Sequence, residues 1–283
     1  MLRQRIITAL LMLAVLIPAV LYPSPVPFSA VALVLIACGA WEWALLNQLS
    51  VRSARIFGFL CALLCALSWW YGLPQMSLKM VWLVAGSVWV FLAAWLLNAG
   101  VPAWAKVPRM LRLSGGFLAL WVAWLAVVQA RGLGINFLFS VMVLVWAADV
   151  FAYFAGRSLG GRFFSRKLAP SISPGKTWEG AFGGLIGVVV CAIVWRQIDV
   201  IQTPDSISLY SRIAGQGTGF MFLALVFMVL MSIVGDLLES LFKRSAGVKD
   251  SSGLLPGHGG VLDRIDALLP VLPLAMMLIT VWQ

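Results

Sequence analysis

The chain predicts an all-α fold, a polytopic integral membrane bundle with about nine transmembrane helices. Three observations predict it. Hydrophobic residues make up 62% of the 283 and charged residues only 11%, against about a quarter charged in soluble domains. The apolar runs are long enough for helical spans of roughly 20 residues, and mean hydropathy is +1.00. Lys and Arg fall almost entirely in alternate loops, the pattern of a polytopic protein.

Taken in order, the first span runs from Ile6 to Tyr22, behind Arg3 and Arg5. It has the outline of a signal peptide, but no small-x-small cleavage site follows and the next span begins at once, so it is expected to remain. Phe28 to Leu46 contains Glu42, the single acid in the first 148 residues. That acid either faces the site or pairs with a polar neighbour. Ile56 to Leu73 ends near Trp69, Trp70 and Tyr71, whose amphipathic rings suit a membrane interface. Leu78 to Leu97, apart from Lys79 at its start and Ser87, and Gly115 to Ala130, apart from Gln129, are apolar. Asn136 to Ala155 holds Asp149, with Tyr153 and Gly156 on the same helical face. Trp178 to Trp195, Gly219 to Phe242 and Val261 to Trp282 complete the nine. Residues 1–283 read as a single transmembrane domain, with mainly scaffold spans in 1–135 and catalytic spans and loops in 136–283.

Sixteen of the twenty Lys and Arg lie before the first span, in the loops after spans two, four, six and eight or, as Arg264, at the very start of the ninth span. The positive-inside rule then predicts a cytoplasmic N-terminus and, with nine spans, an external C-terminus. The net charge of +10 is therefore a topology signal. Because the basic residues are divided among short loops, nucleic acid is not expected as a partner. Cys38, Cys61, Cys65 and Cys191 lie within predicted spans without metal-site spacing, and are expected to be packing residues. The longest polar segments, Arg157 to Lys176 and Gln197 to Gly217, are loop-sized.

Chemistry concentrates near the C-terminus, where Asp236, Glu239, Asp250, Asp263 and Asp266 follow one another. Asp236, Glu239, Ser240 and Lys243 stand at i, i+3, i+4 and i+7, so they share a helix face. Asp236, one turn deeper in the apolar run, is the stronger candidate for a site. Glu239 reads equally well as an ion-pair partner of Lys243. Asp263 and Asp266, at i and i+3 at the start of the ninth span, are expected to point one way. Hard divalent cations take oxygen ligands, and Mg²⁺ is commonly shared between a few carboxylates and substrate phosphates. Asp236, Asp263 and Asp266 are thus the expected metal ligands. Gly257, Gly259 and Gly260 let backbone approach a ligand closely, although a tight turn alone would also explain them. His258, the only histidine, reads as a binding or proton-handling group against a structural alternative. Lys176, Lys243, Arg244, Lys249 and Arg264 could hold phosphate. Ser173 or Thr177 could instead cap the following helix.

These residues resemble the signature of the phosphatidate cytidylyltransferase family, the CDP-diacylglycerol synthases. The signature has Ser, Lys-Arg, Lys-Asp, His-Gly-Gly and Asp-Arg-x-Asp in fixed register. Here they stand as Ser240, Lys243, Arg244, Lys249, Asp250, His258, Gly259, Gly260, Asp263, Arg264 and Asp266. The Asp149 segment and SPGKTWEG are similar to further family motifs, except that Gly175 stands where lysine is common. The resemblance implies that phosphatidate and CTP give CDP-diacylglycerol and pyrophosphate, with Mg²⁺ required. It implies attack of the lipid phosphate on the α-phosphorus of CTP, with Asp236, Asp263, Asp266, His258 and Lys243 as the catalytic set. Asp149, Ser173, Lys176, Ser240, Arg244, Lys249, Asp250, Gly259, Gly260 and Arg264 become the substrate-binding set. It also implies a second cation such as K⁺, a homodimer, and a place in the bacterial inner membrane with the site cytoplasmic. A CTP-dependent lipid kinase and an anion or phospholipid transporter remain open as alternatives. Polar residues gathered near one membrane face, in one half of the chain, favour an enzyme.

Overall fold

A computed structural model describes residues 2–202 and 204–280. Eight of its helices are long and apolar enough to cross a membrane: α1 (Leu2–Leu21), α2 (Val26–Leu46), α3 (Val51–Trp70), α4 (Lys79–Ala99), α6 (Arg109–Leu133), α7 (Ile135–Leu159), α8 (Trp178–Gln202) and α10 (Thr218–Ser245). Shorter helices lie between and after them: α5 (Val101–Lys106), α9 (Leu209–Ala214), α11 (Leu262–Ile265) and α12 (Leu268–Thr280). The first eight predicted spans all appear, several longer than expected. The outer loop expected from Gln197 is shorter, because α8 runs to Gln202 and α9 fills part of the remainder.

The ninth predicted span is a correction, since Val261 to Thr280 is broken and the expected end at Trp282 lies outside the described residues. Thirteen residues of α12 reach only about 20 Å at 1.5 Å per residue, short of a bilayer core of about 30 Å. The break falls at Asp266 and Ala267. Asp266 Oδ1 accepts a hydrogen bond from the Ala267 N–H at 2.7 Å. Pro270 and Pro273 bring no N–H of their own to the helix that follows. The break follows Asp266, whose backbone is still helical, so Asp263 and Asp266 stay one turn apart on α11 while the helix beyond them is interrupted.

Glycine sets the closest helix contacts. Along α8, a Cβ on Gly180 would stand 2.9 Å from Ala152 O, and one on Gly184 would stand 2.7 Å from Ala148 O. Small residues let α7 and α8 approach backbone to backbone, the usual basis of tight helix pairing in lipid. Gly235 does the same in α10, where a Cβ would stand 2.7 Å from Asp266 O and 2.9 Å from Ala267 Cα. That contact seats the broken α11–α12 segment directly beside Asp236. Aromatic rings tie the other side of α10 to the early helices, with Phe242 packed on Trp43 at 5.1 Å and on Trp104 at 4.4 Å between centroids. Cys61 and Cys65 are buried and unbridged, as packing residues should be.

Candidate active site

Two charged groups form at the end of the bundle where α7, α8 and α10 meet the loops Gly160–Thr177 and Ala246–Val261. The first surrounds a half-open cavity of about 410 Å³ lined by Asp149, Tyr153, Gly156, Arg157, Lys176, Thr177 and Asp236 among others. Lys176 Nζ lies 2.6 Å from Asp236 Oδ2 and donates to Ile233 O at 3.3 Å. Both side chains reach the cavity, with 22% and 34% of their surface exposed. Ser240 Oγ donates to Asp236 Oδ1 at 3.4 Å, and Arg157 donates to the Tyr153 hydroxyl at 2.8 Å. The Asp266 backbone packs against Gly235, next to Asp236. Burial first, and then the Asp236 charge, push the Asp266 carboxyl up to about 7. A larger depression of about 580 Å³ is lined by α4 residues from Leu83 to Trp95 and carries no ionisable group.

The second group is a staple. Lys243 Nζ bridges Glu239 and Asp263, the latter at 2.5 Å. Asp263 Oδ2 also accepts from the Ser251 N–H and hydroxyl, each at 2.9 Å, and from the Gly260 N–H at 2.7 Å. Burial opposes the charge on Asp263, but the Lys243 ammonium and the Gly260 and Ser251 amides overcome it and lower the carboxyl to about 2. Gly259 has φ of +82°, and a Cβ there would stand 2.7 Å from Asp263 Oδ2. The His258 backbone N–H donates to Leu255 O at 2.8 Å, and its carbonyl accepts from Arg264 Nε at 3.1 Å. Its Nδ1 is buried with no hydrogen-bond partner. Arg244, Lys249 and Asp250 lie exposed at the rim.

The polar stripe expected on α10 thus divides. Asp236 and Ser240 serve the cavity, whereas Glu239 and Lys243 join Asp263. Among the described residues, no group of three His, Cys, Asp or Glu side chains is arranged to hold a metal ion. The expected convergence of Asp236, Asp263 and Asp266 is therefore not formed. Asp263 is taken up by Lys243, Ser251 and Gly260, whereas the Asp266 backbone packs on Gly235 beside Asp236. Asp236 and Asp266 still fit Mg²⁺, which commonly takes one or two carboxylates together with substrate phosphates. Asp263 fits less well, because both its oxygens already have partners.

The helix entrance at α8 is settled by Thr177, whose Oγ1 accepts the Gly180 N–H at 3.1 Å; Ser173 does not cap it. Two buried acids had little functional weight in the sequence. Glu179 Oε1 accepts the N–H groups of Gly161, Phe163 and Phe164 at 3.0 to 3.1 Å, fixing the basic loop after α7. Glu42, fully buried in α2, accepts from Ser251, Ser252, Val261 and Leu262. Of its two readings, pairing with polar neighbours is the one that forms. Its isolation among 148 residues without another acid was the available signal.

A helical membrane bundle with acids and ammonium groups gathered at one end belongs to the class suited to phosphate esters at a bilayer surface. Comparison with known proteins narrows that class. The cytidylyltransferase family model matches residues 3–282, and the chain belongs to this family. Over 96% of its length the chain is 39% identical to a phosphatidate cytidylyltransferase of Pseudomonas aeruginosa, covering 95% of that protein. It is 36% identical to the Haemophilus influenzae protein of the same name, covering 96% of each. A Bacillus subtilis relative, also so named, is 37% identical over 53% of this chain and 49% of its own.

Proposed function

We propose that this chain transfers CMP from CTP to phosphatidate, releasing pyrophosphate and forming CDP-diacylglycerol for phospholipid synthesis. The family membership and the relatives' shared name support the reaction. The observation that carries the site is the cavity in which Lys176, Asp149 and Asp236 face one another, with Asp266 next to Asp236. It is polar where the reaction is polar, and its helices are apolar where the diacyl chains must lie.

In the reaction, a phosphate oxygen of the lipid attacks the α-phosphorus of CTP, and the bond from that phosphorus to the β-phosphate oxygen breaks. Lys176 exchanges its ion pair with Asp236 for a phosphate oxygen and so holds the negative charge in place. Asp236 and Asp266 are the residues that would hold Mg²⁺. When bound, the ion neutralises charge on the triphosphate and on the leaving pyrophosphate. Gly259, with His258, Arg264, Lys249 and Arg244 around it, meets the nucleotide from the loop side, and Gly260 closes the turn through its N–H to Asp263. Ser173, Asp250 and Lys243 border these contacts, and Lys243 keeps Asp263 and the loop in register. Such transfers depend mainly on positioning and charge stabilisation.

The distribution of Lys and Arg supports a cytoplasmic N-terminus and site in the bacterial inner membrane, where CTP is at hand. The family resemblance adds a second cation such as K⁺ and a homodimer. Purified protein given phosphatidate, labelled CTP and Mg²⁺ tests the reading. CDP-lipid with pyrophosphate is the expected outcome, and excess chelator should abolish it. Phosphorylated lipid with CDP would identify a kinase instead.

A further inference from the structure

Glu42 belongs to the half of the chain that reads as scaffold, yet its side chain is closed off from solvent. A carboxylate so placed is tolerated only with donors around it. It has four. Oε1 accepts from Ser252 Oγ at 2.6 Å and Val261 N at 2.9 Å. Oε2 accepts from Leu262 N at 2.8 Å and Ser251 Oγ at 3.2 Å. The four donors flank His258, Gly259 and Gly260 on both sides, so one carboxylate closes the ends of that loop. Ser251 Oγ also stands 2.9 Å from Asp263 Oδ2; its single proton serves one acid at a time and links Glu42 to the Lys243 staple. Gly260 shows how close the fit is, since a Cβ there would stand 2.0 Å from Ser251 Oγ and 2.5 Å from Glu42 Oε1. The next residue, Trp43, anchors α2 by donating to Arg112 O at 3.0 Å and packing on Phe242.

We infer that Glu42 is a positioning residue for the nucleotide side of the reaction. Its carboxylate holds Ser251 to Leu262 in one arrangement and so sets where Gly259 and the His258 side chain stand for the triphosphate. The inference rests on cytidylyl transfer at this site. Four donors need two acceptor oxygens, and glutamine supplies one oxygen and one N–H₂. Glu42→Gln therefore sets a donor against donors and shifts the loop while the helices keep their packing. The acyl chains of the lipid meet apolar helix surface elsewhere, so the effect should fall on CTP and spare phosphatidate.

The test uses full-length protein in detergent, with each substrate varied in turn and hydrogen exchange followed by peptide. For Glu42→Gln we expect kcat/KM for CTP to fall about tenfold or more, as small misplacements of reacting groups do. The KM for phosphatidate should stay within about twofold, and exchange should quicken only across 251–262. Glu42→Asp, which keeps the charge, should recover part of the loss. Unchanged CTP kinetics, an equal effect on both substrates, or faster exchange throughout the helices would overturn the inference in favour of general support of the fold. Should Glu42→Gln fail to fold, Ser252→Ala removes the shortest of the four contacts. It is expected to give the same CTP-selective loss at about threefold, and no change in CTP kinetics or loop exchange would overturn the inference. Wild-type protein that makes no CDP-lipid would instead refute the proposed reaction, and the exchange measurement would still report whether Glu42 holds the loop.

Discussion

Asp199 and Asp236 are both aspartates on long apolar helices, at opposite ends of the bundle, and their surroundings differ in kind. Asp199 Oδ2 accepts from the Ser208 N–H and hydroxyl and from Ser211 Oγ, and Oδ1 accepts from Asn136 at 2.8 Å. Nearby Asp205 takes the N–H groups of Ile135 and Asn136 at 2.6 and 3.1 Å, closing the start of α7. Every donor there is neutral and belongs to the protein. Asp236 instead shares a cavity with Asp149, stands beside Asp266, and has one ammonium within reach. An acid whose acceptor capacity is filled by fixed neutral donors holds structure together. One that faces other acids across open space is left to meet a cation or a phosphate. By the same criterion Glu42, although at the charged end, falls with Asp199, and Asp263 is likewise filled, by the Lys243 ammonium together with Ser251 and Gly260.

The largest effect expected from this division is on turnover. Asp236→Asn and Asp266→Asn should each reduce CDP-lipid synthesis by about 100-fold or more, in line with roughly 3 to 4 kcal/mol for one electrostatic contact to a transition state. Thermal unfolding of the purified variants should stay near wild type. Lys243→Ala should act mainly on stability, because it leaves Glu239 and Asp263 facing each other without their cation. A loss of about 2 to 3 kcal/mol is expected, below the full range for buried pairs because the staple is partly exposed. A lowered unfolding midpoint would show it. Lys176→Ala removes the cavity's ammonium but also relieves Asp236 of a partner, so turnover should fall about tenfold with little change in unfolding.

Acid sharpens the comparison further. Asp263 is lowered to about 2 in the folded protein, against an ordinary value near 4 when unfolded. Its contribution to stability is therefore present above about pH 4 and lost as pH falls toward about 2. Wild type minus Asp263→Asn, followed by thermal unfolding across that window, should show a difference that shrinks with acid. A difference independent of pH would mean that the staple does not hold Asp263 as a charge. At the far end, Asp199→Asn keeps the size but turns an amide toward Ser208 and Ser211, at a cost of about 1 to 2 kcal/mol in stability. Turnover per folded molecule should remain as in wild type.

Most of the fold was legible because apolar length and basic loops report directly on the membrane, and the eight long helices follow them. The ninth span was misread for a local reason. Asp266 bonding to Ala267 and the two prolines stop a run that hydropathy alone treats as continuous. The break lies beyond Asp266 and so does not part the two acids; what parts them is the set of donors that Asp263 alone receives from Lys243, Ser251 and Gly260. Asp149, Lys176 and Asp236 were found because charge in an apolar run needs a reason. The division between Asp263 and Asp266, and the reach of Glu42 across more than two hundred residues to Ser251 and Leu262, are tertiary facts that spacing does not encode.

The central claim is that acids left facing the cavity carry the chemistry while acids with filled acceptors carry the structure. Its most direct test is CDP-lipid formation from labelled CTP and phosphatidate at saturating Mg²⁺, by folded Asp236→Asn and Asp199→Asn protein side by side. The account predicts a loss of about 100-fold or more for Asp236→Asn with unfolding unchanged, and wild-type turnover for Asp199→Asn with a lower unfolding midpoint. Full synthesis by well-folded Asp236→Asn, or a comparable loss in well-folded Asp199→Asn, would contradict it.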